Sequence, residues 1–424
     1  MRIYLGSLGC KLNQSEMDTL AGRLAAAGHQ VVAAPSEADL CVFNTCAVTH
    51  VAAQKSRQAL RRLHRENPLA RLVATGCYAQ LTPKELGELP GVELVVGNRD
   101  KDRLVELLGG SSAGRGAAGP MPGVPRPRTR ALIKIQDGCD NACTYCIIRV
   151  ARGPQRSRPA DEILTEVRAR LAAGYQEIVL TGVHIGAYGR DGQSEPAKTD
   201  LWALVGQILA GTDVPRLRLS SIEPWDLSKQ AFRLWDDPRL CRHLHLPLQS
   251  GCDATLRRMA RRYTTAEFGA WVAAARAAIP DLAITTDVIV GFPGETDDEF
   301  AQSLAFVQEM TFSRVHVFPY SLRAGTPAAQ MPGQVPAPVK AERARARRTV
   351  PSSSQRAFSQ SFVGRILDVL WESPRENIDG LLWSGLTDNY LRVQARSSEN
   401  LANMLLPTCL VALAGNDLVG EPEK

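Results

Sequence analysis

The sequence predicts an α/β protein: a parallel, Rossmann-like α/β layer, then a partial or full β/α barrel, then a small antiparallel β-barrel. Three observations carry that prediction. Short apolar runs alternate with helical patterns in residues 1–108 and again from about 130 to 320. Between the two series, GGSSAGRGAAGPMPGVPRPR (109–128) is rich in Gly, Pro, Ser and Ala and cannot build a core, so it reads as a linker. After residue 355 the helical period disappears and short β-like runs are broken by Gly, Asn and Asp. A chain of 424 residues has room for two or three domains of the usual size. The expected division is 1–110, a linker at 111–128, 129–350 and 355–424.

Each element follows from a local pattern. IYLGSLG reads as a strand, MDTLAGRLAAAG as a helix ending at Gly28, and DLCVFNTC as a strand. AAQKSRQALRRLHRENP is a helix stopped by Pro68, and RLVATGC and VELVVGN are strands. In the second series ALIKIQDG, QEIVLTGV, RLRLSSIEP, HLHLPLQSG, AITTDVIVGFPG and RVHVFPYS are strands. ADEILTEVRARLAAG, DLWALVGQILAG, AEFGAWVAAARAAIP and DDEFAQSLAFVQEM are helices among them. About six units of this kind suggest a β/α barrel, whose strands present functional residues at their carboxyl ends. A Pro/Ala/Arg-rich connector from Gly325 to about Ser354 precedes the last β-like runs, FVGRILDVLWE, NIDGLLWSGLTDNYLRVQA and CLVALAGNDLVGE.

Composition narrows the class. An apolar fraction of 44% and a charged fraction of 22% suit a globular protein. No run of about 18 apolar residues is present, so no transmembrane helix or membrane partner is expected. The start, MRIYLGSLGC, lacks the charged end and apolar core of a signal peptide, so a cytoplasmic location is expected. There, ten cysteines serve as ligands, reactive thiols or core residues rather than disulfides. The net charge of +6 is mild, but its distribution is uneven. KSRQALRRLHR places Arg57, Arg61 and Arg65 on one helical face. PRPRTR (Arg126, Arg128, Arg130), LRRMARR (Arg257, Arg258, Arg261, Arg262) and KAERARARR (Lys340 to Arg348) are further basic runs, pointing either to solvated faces or to a polyanion.

The chemistry lies in the cysteines. QDGCDNACTYC spaces Cys139, Cys143 and Cys146 as C-x3-C-x2-C, with Tyr145 beside the last. Three thiolates without a nearby fourth suit an iron–sulfur cluster with one open iron. A structural zinc completed by a distant His is the competing reading, although the usual second half of a zinc module is missing. Cys10, Cys46 and Cys77 each end a predicted strand of the first series, and ligands gather at that edge of a parallel sheet. By spacing alone they are either core thiols or a second metal site. Cys41, Cys241, Cys252 and Cys409 read as buried small apolar residues.

The C-x3-C-x2-C motif at the end of the first barrel strand resembles the radical S-adenosylmethionine superfamily. LGCKLNQSE, NTCAVTHVAAQKSR and ATGCYAQ narrow the likeness to the methylthiotransferases. QDGCDNACTYCII, ARGPQRSRP, TDVIVGFPGET and HVFPYSLRAGTPA resemble the branch that methylthiolates threonylcarbamoyladenosine beside the anticodon of tRNA. The resemblance runs over almost the whole chain and implies two 4Fe–4S clusters and S-adenosylmethionine as cofactors. Cys139, Cys143 and Cys146 would then be the catalytic ligands, and Cys10, Cys46 and Cys77 would hold an auxiliary cluster that carries the transferred sulfur. It implies a tRNA anticodon stem-loop and an electron donor such as a flavodoxin or ferredoxin as partners. The alternatives are isopentenyladenosine in tRNA, an aspartate of a ribosomal protein, or a zinc-dependent RNA-binding protein.

Two departures stand out. Arg149 and Val150 replace the proline and tyrosine of the family's IIPYARG segment. The carboxyl-terminal region resembles a TRAM domain, yet from Arg356 onward it carries six basic and nine acidic residues. Its Phe358, Phe362, Trp371, Trp383 and Tyr390 read as core residues or as stacking platforms for bases. In the barrel, Thr181 and Gly182 match the place where the superfamily receives the methionine amino group, and Gly291 in GFPGE matches the segment that receives adenine. Ser221, Glu223, His245, Gln249 and Asp287 are strand-end candidates for cofactor binding, His245 being equally readable as a core histidine. Arg57, Arg61 and Arg65 are the candidate RNA contacts.

Overall fold

The computed structural model describes residues 1–108, 129–191, 199–377 and 380–423, apart from the side chains of 347–353 and 376–377. The linker expected at 111–128 lies outside the described residues, as do Arg126 and Arg128. The first layer runs β1 (Arg2–Ser7), α1 (Lys11–Ala26), β2 (Gln30–Val32), β3 (Leu40–Thr45), α2 (His50–Glu66) and β4 (Arg71–Gly76). Then come α3 (Cys77–Leu81), α4 (Pro83–Gly87), β5 (Val92–Val96) and α5 (Leu104–Leu107). The sheet order is β2-β1-β3-β4-β5, all parallel. Cys10, Cys46 and Cys77 therefore follow three neighbouring strands. Thr49 caps α2 by accepting from the Ala52 amide.

The second region contains β6 (Arg130–Lys134), β7 (Gln136–Asp137), α6 (Ile148–Arg152), β8 (Arg156–Ser157), α7 (Ala160–Ala172) and β9 (Glu177–Thr181). It continues through α8 (Leu201–Gly211), β10 (Arg216–Leu219), β11 (His243–His245), α9 (Asp253–Arg258) and α10 (Thr265–Ala278). β12 (Ala283–Val290), α11 (Asp297–Glu309) and β13 (Arg314–Pro319) close the series. Two three-stranded parallel sheets, β6-β9-β10 and β11-β12-β13, meet through bridges at Leu217–Leu240 and Ser221–His245. The result is a six-stranded partial barrel. Alternation along each strand explains its two faces. Ile133, Ile178, Leu180 and Leu217 join Ile163, Val167, Leu204 and Phe268 in the outer core. Glu177 and Arg218, on β9 and β10, form a fully buried ion pair at 2.7 Å.

The expected connector is a correction. Instead of an irregular link, α12 (Ala337–Gln360) occupies most of it, so the boundary placed near 350–355 falls inside one helix. Ala, Arg, Glu, Lys and Gln are strong helix formers, and a proline in the first turn loses no helical hydrogen bond. Beyond it β14 (Ile366–Asn377), β15 (Gly380–Thr387), β16 (Arg392–Arg396), β17 (Leu405–Ala414) and β18 (Asp417–Pro422) form a closed barrel. Phe362, Trp371 and Trp383 fill its core, and Phe358 packs on it from α12. Tyr390 differs. It lies outside that core and stacks on His243 at 4.6 Å, with the Arg218 guanidinium 4.6 Å from its ring centre.

Arg216 and Arg218 also donate to the carbonyls of Leu386, Thr387 and Asp388, which docks the small barrel against the partial one. Glu177 answers both arginines. Burial alone would raise its carboxyl pKa, but Arg218 and Arg216 outweigh that and bring it down to about 2. A depressed carboxylate contributes stability above its ordinary value of 4.5 and loses it as pH falls through about 2. Glu177→Ala leaves buried guanidinium groups unanswered and should cost about 3–5 kcal/mol at neutral pH. Melting curves should show the gap from wild type closing on acidification across that window.

Candidate functional site

The three thiols of the first layer share one edge because three parallel strands end there. Cys10 stands at the N-cap of α1, Cys46 directly follows β3, and Cys77 opens α3. Gly76 permits this last turn: at φ +101 a Cβ would sit 2.3 Å from Asn44 Oδ1. Burial pushes the Cys46 thiol up to about 11, and Cys10 and Cys77 push it in the same direction. Cys10 is exposed at its surface, yet the protein packed around it still raises its thiol, with Cys77 adding to that. The three thiols thus sense one another in one locality. Cys41 and Cys241 are buried in the manner expected of core residues, as is Cys252, while Cys409 is half-buried.

The second triad lies on the loop between β7 and α6. Cys139 accepts from the Asn141 amide at 3.4 Å, and Cys143 accepts from Arg261 at 3.5 Å. Burial pushes the Cys146 thiol up to about 12, with Cys143 and Cys139 contributing. Tyr145 does border this loop, packed among Met259, Phe292 and Tyr320. Among the described residues, no group of three or more His, Cys, Asp or Glu side chains is placed to grip a single metal ion. A cube distributes its protein bonds over separate iron corners, so its thiolates stand farther apart than ligands of one ion. Thiolate sulfur is the usual protein ligand of such a cluster. The donor sets therefore fit thiolate-held clusters. Cys77 opens α3 and Cys146 lies just ahead of α6, and these two helices pack on each other. There the Asn98 amide donates to the Ala151 carbonyl at 2.8 Å and to the Cys77 sulfur at 3.6 Å.

The strand-end candidates line the same carboxyl edge of the partial barrel. Thr181 is buried at the end of β9, and a Cβ on Gly182 would approach the Gln136 carbonyl to 2.9 Å. The Gln136 side chain orders this turn by accepting from the Val183 and His184 amides. Ser221 is exposed and bridges to His245. Glu223 pairs with buried Arg261, whose guanidinium lies over Trp225 and Tyr263. Gln249 adopts φ +66, a strained conformation for a side chain of its kind. Asp287 faces His245 at 3.3 Å, and the Gly291 amide donates to Glu295 at 2.6 Å.

His184 is a site feature with no sequence signal. It pairs with Asp226 at 2.6 Å, and although burial works against its charge, that carboxylate helps push its pKa up to about 9. The basic runs divide. Arg61 and Arg65 are exposed, whereas Arg57 bonds Tyr78 and pairs with Glu85 at 2.9 Å. In LRRMARR, Arg257 and Arg262 face outward, but Arg258 pairs with Glu299 and Arg261 with Glu223. Arg130 pairs with Glu372, and Arg343 in the last run pairs with Glu295 and Asp297. Arg149 and Val150 are both exposed on α6.

Comparison with known proteins agrees with this architecture. Residues 2–97 match the family model described as uncharacterized protein family UPF0004, and residues 133–307 match the radical SAM superfamily. The chain is 37% identical over 418 residues to the threonylcarbamoyladenosine tRNA methylthiotransferase MtaB of Bacillus subtilis, covering 94% of this chain and 91% of that protein. It is 40% identical to the protein of the same name from Thermotoga maritima, covering 80% of each. The ribosomal protein uS12 methylthiotransferase RimO of Anaeromyxobacter is 36% identical, covering 90% and 84%. Among solved structures, the radical S-adenosylmethionine methyltransferase TsrM from Kitasatospora setae shares the fold with a TM-score of 0.58 at 17% identity, covering 77% of each chain.

The glycine before Cys139 offers a local test. At Gly138, φ is +71 and a Cβ would lie 1.9 Å from the Pro154 carbonyl. Gly138→Ala should displace the cysteine loop and sharply reduce iron retained there. Gly153, at φ +76 with nothing within 4 Å of an added Cβ, is the control. Gly153→Ala should cost about 1–3 kcal/mol of backbone strain without a steric clash at the cysteine loop. Iron analysis after anaerobic reconstitution, with circular dichroism to check folding, separates the two.

Proposed function

The chain belongs to the radical S-adenosylmethionine methylthiotransferase family, and from that premise we propose that it inserts a methylthio group at carbon 2 of threonylcarbamoyladenosine in tRNA. The observation that supports the chemistry is the packing of α3, which Cys77 opens, on α6, which directly follows the Cys139–Cys146 loop. The substrate assignment is supported by near full-length identity to relatives of the threonylcarbamoyladenosine branch. Cys139, Cys143 and Cys146 would hold one 4Fe–4S cluster, and Cys10, Cys46 and Cys77 the other. Bound there, the clusters would supply one-electron cleavage of S-adenosylmethionine at the Cys139–Cys146 triad and a transferable sulfur at the Cys10, Cys46 and Cys77 triad.

The remaining groups bind and orient. Thr181 and Gly182 would receive the methionine end of S-adenosylmethionine, and Gly291 the adenine. Ser221, Glu223, Gln249 and Asp287 offer polar groups along the strand ends between them. The Glu223–Arg261 pair, backed by Trp225 and Tyr263, walls one side of the Cys143 loop and limits water there. Exposed Arg61 and Arg65 would meet tRNA phosphates, which position an RNA without reading its sequence. Arg57, held by Tyr78 and Glu85, would instead shape the surface beside Cys77. An external one-electron donor of the flavodoxin or ferredoxin kind and a cytoplasmic location complete the proposal. Among the described residues no helix is long and apolar enough to cross a membrane.

Cys139→Ala should abolish S-adenosylmethionine cleavage, while Cys46→Ala should retain cleavage and lose methylthiolation. Wild-type cleavage in Cys139→Ala would reject the site. Nucleoside analysis of tRNA from a deletion strain tests the substrate, with threonylcarbamoyladenosine expected to lose its methylthio group. Loss from isopentenyladenosine instead, or from a ribosomal-protein aspartate with both nucleosides intact, would reassign the branch.

A further inference from the structure

Cysteines are the conspicuous letters of LGCKLNQSE, NTC and QDGC, but Asn13, Glu16, Asn44 and Asp137 of these stretches are buried together with Arg152 of ARG. Arg152 is at their centre, on α6 six residues beyond Cys146, with its side chain 1% exposed. One terminal nitrogen donates to Glu16 at 2.8 Å and Asp137 at 2.9 Å, and the other donates to Asn13 Oδ1 at 2.7 Å. The same Asn13 oxygen accepts from the Cys10 thiol at 3.7 Å. The Asn13 amide donates to the carbonyls of Leu8 and Thr45, just ahead of Cys10 and Cys46. The residue beside Arg152, Ala151, is tied through Asn98 to Cys77. Each cysteine of the first triad is thus joined to Arg152 or its neighbour by a short hydrogen-bonded path.

The charges of this network do not cancel. Glu16 takes Lys101 at 2.6 Å and Lys134 at 3.3 Å besides Arg152, and Asp137 takes Lys134 at 2.9 Å. Half-exposed Arg156 also reaches Asp137 at 4.0 Å, so two carboxylates face four cations and positive charge is in excess beside the thiols.

We propose that Arg152 is a positioning residue for sulfur transfer: it holds the Cys10, Cys46 and Cys77 edge in register with the Cys139–Cys146 loop and supplies a fixed positive charge to the auxiliary triad. The inference rests on the reading that both triads hold iron–sulfur clusters. A cube on three thiolates is anionic, and one-electron reduction makes it more so. A guanidinium fixed in a low-dielectric interior favours the reduced form and raises the potential.

The test uses the full-length chain with Cys139, Cys143 and Cys146 all changed to Ala, so that only the auxiliary cluster is present. Its midpoint potential is followed by electron paramagnetic resonance during titration with dithionite. Absence of any iron–sulfur signal in this parent would reject the cluster reading itself, before Arg152 is touched. Arg152→Gln should lower the potential, Arg152→Lys should restore most of it, and Glu16→Gln, which deletes a negative charge, should raise it. With the other three cysteines restored, Arg152→Gln should also release several-fold more 5′-deoxyadenosine per methylthiolated nucleoside. If Arg152→Gln retains no iron, the upward shift in Glu16→Gln decides. Potentials unchanged in the variants that bind iron would overturn the proposal.

Discussion

In the proposed chemistry six thiols contributed by two independently built sheets have to work across one interface, and the rest of the architecture bears on that requirement. Parallel strands deliver Cys10, Cys46 and Cys77 to one edge of the first sheet. The turn after β7, held by the Gln136 and Asp137 side chains, delivers Cys139 to the edge of the second. Neither delivery sets the distance between the triads. That is set where α3 meets α6 and where α1 lies along β6, with the Ser15 hydroxyl donating to the Leu132 carbonyl at 2.8 Å. Buried ion pairs add little net stability compared with apolar packing, but they are unforgiving about geometry. A network built around Glu16 and Arg152 permits only a narrow range of relative positions.

The opposite end of the partial barrel follows a related principle. Its strands begin with Arg130, Glu177, Arg216 and His243, polar groups that a deep barrel interior would leave poorly solvated. The Thr387–Tyr390 turn of the small barrel satisfies them with backbone carbonyls and one aromatic ring. Arg130 and Arg218 lie over the face of Tyr390, and His243 stacks on it. The carboxyl-terminal barrel is therefore structural at this contact whatever its outer face binds. Its acidic balance also matters less than it looked from composition, since Asp388 is engaged by Arg242.

What could be read from the chain was what local pattern encodes. Strand and helix order, the strand-end position of Cys10, Cys46 and Cys77, and the six-strand series follow from periodicity and punctuation. β2 was missed because three residues, QVV, give no alternation to detect. α12 is hard to see in the sequence because a Pro/Ala/Arg-rich composition does not separate a connector from a helix. Arg261 cannot be told apart in the sequence from the other three arginines of LRRMARR, since a run of basic residues does not say which of them turns inward to a carboxylate 38 positions away. Arg152 had the same problem, its partners Glu16 and Asn13 lying 136 and 139 positions distant. The family resemblance supplied the chemistry, and only the fold could show that the letters around the cysteines bind one another.

The most direct measurement of the central claim is iron and acid-labile sulfide per chain after anaerobic reconstitution, in the wild type and in variants lacking one triad or the other. Two cubes require about eight of each in the wild type and about four when either triad is replaced by alanine. An unchanged content in either variant, or a metal-loaded wild type with zinc and no sulfide, would contradict the account.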